Sequence, residues 1–384
     1  MLKNPIRTTV VATLAASALA AACFAPATAE TPGSLISVQA EPAGWHGLTK
    51  GSSVEYWMTD SAGVQRPASG AMFLPEGDAP AGGWPIVAYA HGSTGAGQGC
   101  GGQANPEIGP LPLHRAAEDR LIKRFVDQGF AVVSPDYLGL GRFDTGPHPY
   151  LEARSEATAT IDLVRAARAA SPELSRTWSA AGTSQGGHAA MSAAHVQAEY
   201  APELDFRGTV AIDAASDVEK VLPLLGPNVP PVPALSGTTA FVVNILAGLR
   251  ATHPELDVDS YLTERGKGLV DDGGTQCLDE IVTATTGVTA ADLLVRPLAP
   301  LRDALAAYMT LPSSGYDDPI LLLMNVTDTV VPSPLHAALV AQFAANGVDQ
   351  QVVVGTGRHG SVSPEQLAAI DGFLARVNAA PTQR

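Results

Sequence analysis

The distribution of apolar residues along the chain predicts alternating strands and helices. Three early segments, separated by Gly- and Pro-containing turns, predict short antiparallel strands at residues 34–40, 53–59 and 65–74. Later apolar runs predict strands at residues 84–90, 130–134, 178–181, 208–212, 319–324 and 351–354. Helices are predicted at residues 116–128, 151–169, 187–200, 334–345 and 364–377. Such alternation through short connections predicts an α/β fold, with a mostly parallel central sheet and helices on both faces.

One long segment, residues 214–316, interrupts this alternation and is called the insertion below. It begins with a Pro-rich stretch. Residues 238–249 (TTAFVVNILAGL) then predict a helix that packs on other helices or faces an apolar ligand. Because the insertion lies between two predicted strands, we expect it to form a helical cap over the strand ends. The expected divisions are a leader at 1–29, a core at 30–213 and 317–384, and the cap at 214–316.

The first 29 residues have the features of a secretory signal peptide. Lys3 and Arg7 give a positive start, residues 10–24 form an Ala-rich apolar run, and an A-x-A cleavage pattern ends at Ala29. We therefore expect cleavage after Ala29 and secretion. The run is too short to be a good transmembrane span, and no later stretch predicts one. A lipid anchor on Cys23 is the alternative, but the preceding Leu is four residues away rather than three.

Composition and charge limit the partners. Loss of the two basic leader residues takes the net charge from −15 to −17, and no basic cluster is present, so nucleic acid is not an expected partner. The acidity suits solubility outside the cell, or it reflects the surface chemistry of the source organism. Two cysteines remain beyond the leader, Cys100 and Cys277, without a spacing that suggests zinc. Two cysteines in an oxidising compartment suit one disulfide; two free buried thiols are the alternative.

Residues 182–186 (GTSQG) match the pattern G-x-S-x-G. This pattern describes a strand that turns sharply into a helix and leaves one serine hydroxyl at the apex. A short buried strand is predicted before Ser184 and an Ala-rich helix after it, as the pattern requires. We therefore predict that Ser184 is a nucleophile. The alternative is a tight turn in which Ser184 only caps the helix.

A serine hydroxyl needs a base to take its proton, and a His base needs a carboxylate to orient it. In the fold predicted here the chain order is Ser, then the acid, then His. Asp328 follows the strand predicted at 319–324, and His359 follows the strand predicted at 351–354. Both lie at carboxyl ends of strands, where open α/β sheets place their sites. We predict Asp328 as the acid and His359 as the base.

The other candidates for these roles fit less well. Asp213 also ends a strand and is the second choice for the acid, whereas Asp136 and Asp162 precede Ser184 and break the order.

The other histidines also fit less well. His188 is expected to support packing, and His195 lies on the same helix. His336 begins a helix next to Asp328, and His91 closes a strand and is expected to hold the following loop by hydrogen bonds.

Acyl transfer also requires hydrogen-bond donors for the oxyanion that develops on the carbonyl. We expect one donor to be the backbone N–H of Gln185, the residue after the nucleophile. The second should come from the loop that follows His91, at Ser93 or Thr94, and the sequence leaves this choice open. An ordinary Gly-rich turn is the alternative interpretation of this loop.

Together these motifs resemble the α/β-hydrolase superfamily, and more narrowly the secretory lipase family of fungal and actinobacterial lipases and esterases. The resemblance covers about residues 40–378. The motifs that carry it are HGSTG at 91–95, PDYLGLG at 135–141, HPY at 148–150, GTSQGG at 182–187, TDTVVP at 327–332 and GRHG at 357–360. It implies an α/β-hydrolase fold with an inserted helical cap, and nucleophile, acid and base roles for Ser184, Asp328 and His359.

The resemblance also implies hydrolysis of a small-molecule or lipid ester without a metal or an organic cofactor. The cap of such enzymes commonly shapes a tunnel for the acyl chain, and contact with a lipid interface is compatible with this role. We further expect a disulfide between Cys100, in the loop after the oxyanion strand, and Cys277, in the cap. The acyl-chain length and the oligomeric state stay open.

Two rival functions remain from the sequence. The same three residues cleave amides in secreted peptidases and acylases, and acidic residues of the cap could bind a free amino terminus: Glu255, Asp257, Asp259, Asp271 and Asp272. A non-catalytic binding protein on a hydrolase scaffold is the third hypothesis. Such proteins usually lose part of the catalytic set, whereas all parts are present here in the expected order.

Overall fold

The computed structural model describes Met1 and residues 30–41, 45–105, 112–230 and 237–379. The signal peptide predicted at residues 1–29 therefore lies almost entirely outside the described residues. The described strands form one nine-stranded sheet. They are β1 (Leu35–Ala40), β2 (Gly51–Thr59), β3 (Gln65–Phe73), β4 (Trp84–Ala90), β5 (Ala131–Pro135), β6 (Leu174–Thr183), β7 (Asp205–Ile212), β8 (Ile320–Asn325) and β9 (Gln350–Gly355).

The sheet has the strand order β1-β2-β3-β5-β4-β6-β7-β8-β9. The first three strands pair antiparallel with their neighbours, and the six strands from β4 to β9 are parallel to one another. The order along the sheet reverses at β4, which lies between β5 and β6. A reversal of this kind opens a crevice at the carboxyl ends of the strands, where α/β proteins bind ligands.

Helices cover both faces of this sheet, and the insertion adds more. The helices of the core are α1 (Pro112–Asp127), α2 (Ala153–Ala170), α3 (Gln185–Tyr200), α10 (Ser333–Ala345) and α11 (Pro364–Ala379). Those of the insertion are α4 (Val218–Val221), α5 (Thr239–Thr252), α6 (Glu264–Gly273), α7 (Leu278–Ala284), α8 (Ala290–Leu293) and α9 (Arg302–Met309). Short 3-10 helices lie at Leu222–Leu224, Pro254–Leu256, Val258–Tyr261 and Ala299–Leu301. No helix in the described part of the chain is long and apolar enough to span a membrane.

Alternate residues of the central strands face opposite layers, because side chains of a strand alternate between the two faces of a sheet. In β4, Ile86 and Ala88 pack towards α2 and α3, whereas Val87 and Tyr89 pack towards α1 and α11. Both faces are buried, which explains why these strands are continuous apolar runs in the sequence. The architecture confirms the predicted α/β fold with a mostly parallel sheet.

Two strands begin earlier than their apolar runs suggest. β6 begins at Leu174 and β7 at Asp205, whereas the runs predicted strands from 178 and 208. In β7 the charged residues Asp205 and Arg207 interrupt the apolar pattern, so the sequence did not predict the first residues of this strand. Their side chains are buried and form an ion pair at 2.6 Å, so the two charges are tolerated inside the sheet.

The insertion has an apolar core of its own, built by residues of α5 to α9. Tyr150, Leu151 and Val331, which lie outside the insertion, pack into this cluster. The same three residues line a cavity with Ser184, which follows β6. The division of the chain into core and cap stays a prediction.

Candidate active site

Ser184 stands at a sharp turn between β6 and α3. Its backbone has φ 58° and ψ −117°, a conformation that residues other than glycine rarely adopt. A Cβ on Gly182 would lie 2.1 Å from the Gly186 carbonyl oxygen, and a Cβ on Gly186 would lie 1.9 Å from the Ala90 carbonyl oxygen. The two glycines are therefore required for the close approach of β6, α3 and the end of β4. This turn presents the Ser184 hydroxyl at the carboxyl end of the sheet.

A chain of hydrogen bonds joins Ser184 to the predicted base and acid. His359 Nε2 lies 2.8 Å from Ser184 Oγ, and His359 Nδ1 lies 2.6 Å from Asp328 Oδ2. Asp328 follows β8 and His359 follows β9, on the edge of the sheet where β6 also ends. The structure thus brings together the three residues that the sequence singled out. This arrangement is suited to activating a serine hydroxyl.

The carboxylate of Asp328 has donors at both oxygens. The backbone N–H groups of Val330 and Val331 donate to Oδ1 at 2.8 and 3.1 Å, and His336 Nε2 lies 3.3 Å from Oδ2. Burial raises the pKa of Asp328, but the hydrogen bonds from His336 and His359, the His359 charge and the Val330 N–H outweigh it. The pKa consequently lies well below its usual range. Asp328 is therefore a carboxylate at neutral pH and able to orient the His359 ring.

Asp213, the second choice for the acid, lies below the His359 loop. It accepts hydrogen bonds from the Asn325 backbone N–H at 2.7 Å, from Asn325 Nδ2 at 2.7 Å and from the Gly360 N–H at 2.8 Å. Asn325 Oδ1 in turn accepts from the Gly357 N–H at 3.0 Å. Asp213 and Asn325 thus hold the backbone on both sides of His359. The sequence suggested a rival acid here, whereas the geometry gives Asp213 a supporting position.

The predicted oxyanion residues lie on two sides of the turn. Gln185 is the first residue of α3, so its N–H belongs to the first turn, where donors lack an acceptor within the helix. Ser93 Oγ lies 2.6 Å from the hydroxyl of Tyr150, and burial raises the pKa of that phenol. The Thr94 hydroxyl is buried and has no hydrogen-bond partner among the described residues. The Ser93 hydroxyl is therefore already hydrogen-bonded, whereas the Thr94 hydroxyl can still donate a hydrogen bond.

The loop that follows β4 is held directly by the insertion. The Leu278 N–H donates to the Thr94 carbonyl oxygen at 2.8 Å. A Cβ on Gly97 would lie 2.1 Å from a backbone carbonyl oxygen of the insertion, so only glycine permits this approach. Cys100 and Cys277 form a disulfide between the same two segments. The insertion therefore fixes the loop that carries the predicted oxyanion residues.

His91 closes β4 and lies within this loop, as expected from the sequence. Its Nδ1 is 2.7 Å from the Gly92 carbonyl oxygen, and its Nε2 is 3.4 Å from the Asp136 carbonyl oxygen. The Tyr137 hydroxyl donates to the His91 carbonyl oxygen at 3.0 Å. These bonds connect the loop to the segment that follows β5.

A buried carboxylate lies beneath the turn at Ser184, and the sequence analysis missed it. Glu156 of α2 lies 2.7 Å from His188 Nδ1, 2.7 Å from Gln185 Nε2 and 3.1 Å from the Leu151 N–H. His188 Nε2 lies 2.9 Å from the Met309 carbonyl oxygen at the end of α9. Although burial lowers the pKa of His188, the charge and hydrogen bond of Glu156 raise it overall. No local sequence pattern predicts the Glu156–His188 pair, since the two residues are 32 positions apart.

His148 extends the same network as a neutral ring. Its Nε2 lies 2.7 Å from Gln185 Nε2, and its Nδ1 lies 2.8 Å from the Leu138 carbonyl oxygen. Burial lowers the pKa of His148 to about 3, although the bond to Leu138 opposes this effect. Nδ1 therefore carries the proton and donates to Leu138, and Nε2 accepts from the Gln185 amide.

An apolar cavity of about 260 Å³ opens beside Ser184. Its described lining residues carry no charged side chain. They include Tyr150 and Leu151, residues 215–225 in part, three residues of α5, and Val330 to Leu335 in part. Phe241, Val242 and Ile245 of α5 line the cavity, whereas other residues of this helix are buried in the insertion.

The acidic residues of the insertion do not reach this cavity. Asp259 and Asp271 both pair with Arg250, at 3.1 and 2.7 Å, on the surface of the insertion. Neither they nor the other three acidic candidates belong to the described cavity lining. The described lining of the cavity therefore offers no carboxylate for a free amino terminus.

Comparison with solved structures defines the class of fold as that of the α/β-hydrolases. Lipase A from Candida antarctica in its closed state aligns with a TM-score of 0.70 at 18% identity, over 92% of this chain and 84% of that one. A ligand-bound form of the rice cell wall degrading esterase LipA from Xanthomonas oryzae aligns with a TM-score of 0.68 at 21% identity, over 91% and 96%.

Comparison at the level of sequence shows similarity to secretory lipases. A family model described as Secretory lipase matches residues 112–297, which is just under half of the 384-residue chain. The match includes Ser184 and most of the insertion, but ends before Asp328 and His359. Lipase A of Arthroderma benhamiae is 25% identical in an alignment of 243 residues that covers 59% of this chain and 48% of that relative. The chain thus spans about half the length of the curated relative that it matches.

Proposed function

We propose that this protein is a secreted carboxylic ester hydrolase of the lipase or esterase type, with Ser184 as nucleophile, His359 as base and Asp328 as acid. The observation that carries the proposal is the chain of hydrogen bonds from Asp328 through His359 to Ser184. Ser184 is also in a strained turn that opens on an apolar cavity. The secretory lipase family and the predicted leader support secretion and ester hydrolysis.

In the proposed cycle, His359 Nε2 takes the proton of Ser184 while the hydroxyl oxygen attacks the ester carbonyl carbon. The carbonyl π electrons move to the oxygen, and the tetrahedral intermediate collapses as the alcohol leaves with the proton from His359. Water then repeats the attack on the acyl-enzyme and releases the carboxylic acid. Asp328 fixes the tautomer of His359 and stabilises its positive form, and no step requires a cofactor.

The proposed oxyanion donors are the Gln185 N–H and a group of the loop after β4. Of the two candidates in that loop, the Thr94 side chain is free to donate, whereas the Ser93 hydroxyl is engaged with Tyr150. A single donor of this kind typically contributes about 10²–10³ in rate. The backbone N–H of either residue remains an equal candidate.

The cavity supports an acyl ester as the substrate. A hydrocarbon chain placed there would leave water for an apolar wall, and each buried methylene contributes about 0.8 kcal/mol. We therefore expect kcat/KM to rise with acyl length until the cavity is filled. Medium or long acyl esters are the proposed substrate class.

The test is hydrolysis of p-nitrophenyl esters with acyl chains of two to eighteen carbons by wild type and Ser184→Ala. We expect a rate maximum beyond four carbons in the wild type and a loss of at least about 10³-fold in the variant. A maximum at two to four carbons would make the protein a short-chain esterase. Wild type that cleaves matched amides but no ester would refute ester hydrolysis and favour a peptidase or acylase.

A further inference from the structure

His336 is a buried histidine that contacts the proposed catalytic acid, Asp328, in addition to His359. It lies in the first turn of α10 and is 2% exposed. Its Nε2 is 3.3 Å from Asp328 Oδ2 and 3.9 Å from Asp213 Oδ1. A nitrogen that faces two carboxylates must carry the proton, because carboxylate oxygens only accept hydrogen bonds.

The oxygen contacted by His336 is the one that also serves His359. Oδ2 of Asp328 accepts from His359 Nδ1 at 2.6 Å and from His336 Nε2 at 3.3 Å. A carboxylate oxygen that already accepts one hydrogen bond carries less negative charge density for a second donor. The strength of the bond to His359 therefore depends on whether His336 is present.

We propose that His336 is a positioning residue that shares the Asp328 carboxylate with His359 and thereby limits how strongly Asp328 stabilises the protonated form of the base. The inference rests on the proposed function, in which His359 accepts the serine proton. It deepens that function by adding a fourth side chain to the set that controls the base. The depressed pKa of Asp328 agrees with it, since the His336 bond is the largest influence that opposes burial there.

The pH dependence of activity also reflects the other ionisable groups that lie around His336. Asp213 faces it from the end of β7, Asp328 from the loop after β8, and His359 from the loop after β9. Neither β8, β9 nor the rest of α10 carries an ionisable residue. The neighbouring segments contribute Arg358 beside His359 and, around α4, Asp217, Glu219 and Lys220. Of these, Asp217 and Lys220 are bonded to each other and to Gln342 of α10.

The test compares His336→Met with His336→Gln in the pH dependence of kcat/KM for one p-nitrophenyl ester. Methionine fills a similar volume without a donor, whereas the Gln Nε2 occupies the position of the His Nε2 and still donates. We expect the acidic limb to move to higher pH by about half a unit in the Met variant, because Asp328 then stabilises the imidazolium form more strongly. The Gln variant should stay within about 0.2 units of wild type.

Three results would overturn the proposal: an unshifted limb with a uniformly lower rate in His336→Met, equal shifts in both variants, or a shift to lower pH. If the Met variant does not fold, ¹⁵N NMR of the wild type decides, because an unprotonated His336 Nε2 excludes the donor role. Absence of ester hydrolysis in the wild type would refute the proposed function. The His359 titration can then still be followed by NMR in both variants.

Discussion

Asp213 and Asp328 are alike in the sequence, since each is an aspartate within three residues of the end of a parallel strand, and both are buried. The two aspartates differ in the groups that donate hydrogen bonds to them. Asp328 accepts from the ring of His359, whereas Asp213 accepts from backbone and amide N–H groups around it. A carboxylate that accepts from the ring nitrogen can orient the proposed base, whereas Asp213 holds the backbone of the loop.

Exchange of each aspartate for asparagine should therefore give different outcomes. Asp328→Asn can present an N–H to His359 Nδ1 and stabilise the wrong tautomer, so kcat should fall by about 10³–10⁴. In Asp213→Asn an amide NH₂ replaces one of the two oxygens that accept from three N–H donors. We expect this change to lower kcat by about 10- to 100-fold and the free energy of unfolding by about 1–3 kcal/mol. Steady-state kinetics measure kcat of both variants, and urea unfolding measures their free energies of unfolding. A larger loss of kcat in Asp213→Asn would reverse the assignment of the acid.

At the scale of elements, the sequence located most helices and strands to within a few residues. The exceptions have local causes. β7 was predicted short because a buried ion pair replaces apolar side chains at its start, and α3 begins at Gln185, two residues before its predicted start. Contacts between elements were not predictable in detail. The approach of the insertion to the loop after β4 depends on Gly97 and the Leu278 N–H, which are far apart in the chain.

The disulfide should matter for both stability and activity, because it joins the insertion to the loop of Ser93 and Thr94. It closes a segment of 177 residues, and the chain-entropy account gives up to about 5 kcal/mol for such a loop. We expect the double variant Cys100→Ala/Cys277→Ala to unfold at lower urea concentration. Its kcat should fall more than its KM rises, since the oxyanion donors loosen.

Reduction provides the matched control for this prediction. Dithiothreitol should shift the unfolding midpoint of the wild type towards that of the double variant and leave the double variant unchanged. Equal stability of oxidised wild type and double variant would contradict the stabilising role. An unchanged kcat would show that the loop keeps its geometry without the disulfide.

At the scale of the whole molecule, buried polar side chains connect α2, α3, the segment after β5 and the insertion. Glu156 and His188 form one part of this network and His148 another. Buried groups of this kind make folding depend on pH, because the folded and unfolded chains bind protons differently. These buried polar groups are brought together by contacts between residues that are distant in the chain.

His148 should make the protein sensitive to acid. Its pKa is about 3 in the folded chain against 6.5 for an ordinary histidine, so the unfolded chain binds the proton more readily. The stability contributed by neutral His148 is present above about pH 6.5 and is lost as the pH falls towards 3, by up to about 1.4 kcal/mol per pH unit. His188, with a raised pKa, acts in the opposite direction and at higher pH.

Urea unfolding of wild type and His148→Asn between pH 7 and 4 tests this. Asparagine keeps a donor for the Leu138 carbonyl oxygen but has no group that titrates. We expect the variant to be less stable at pH 7 and to lose less stability on acidification. Parallel curves for the two proteins would exclude His148 as a source of the acid sensitivity.

The sequence by itself determined the alternation of strands and helices, the turn at Ser184, and the chain order of Ser184, Asp328 and His359. These features are local, because hydrophobic periodicity and glycine positions act within a few residues. The tertiary structure decided which aspartate meets His359, that His336 touches the same oxygen, and that Glu156 lies beneath the turn. It also decided the shape of the apolar cavity. Such contacts join residues that are distant in the chain, and packing and burial select among partners that the sequence presents as equivalent.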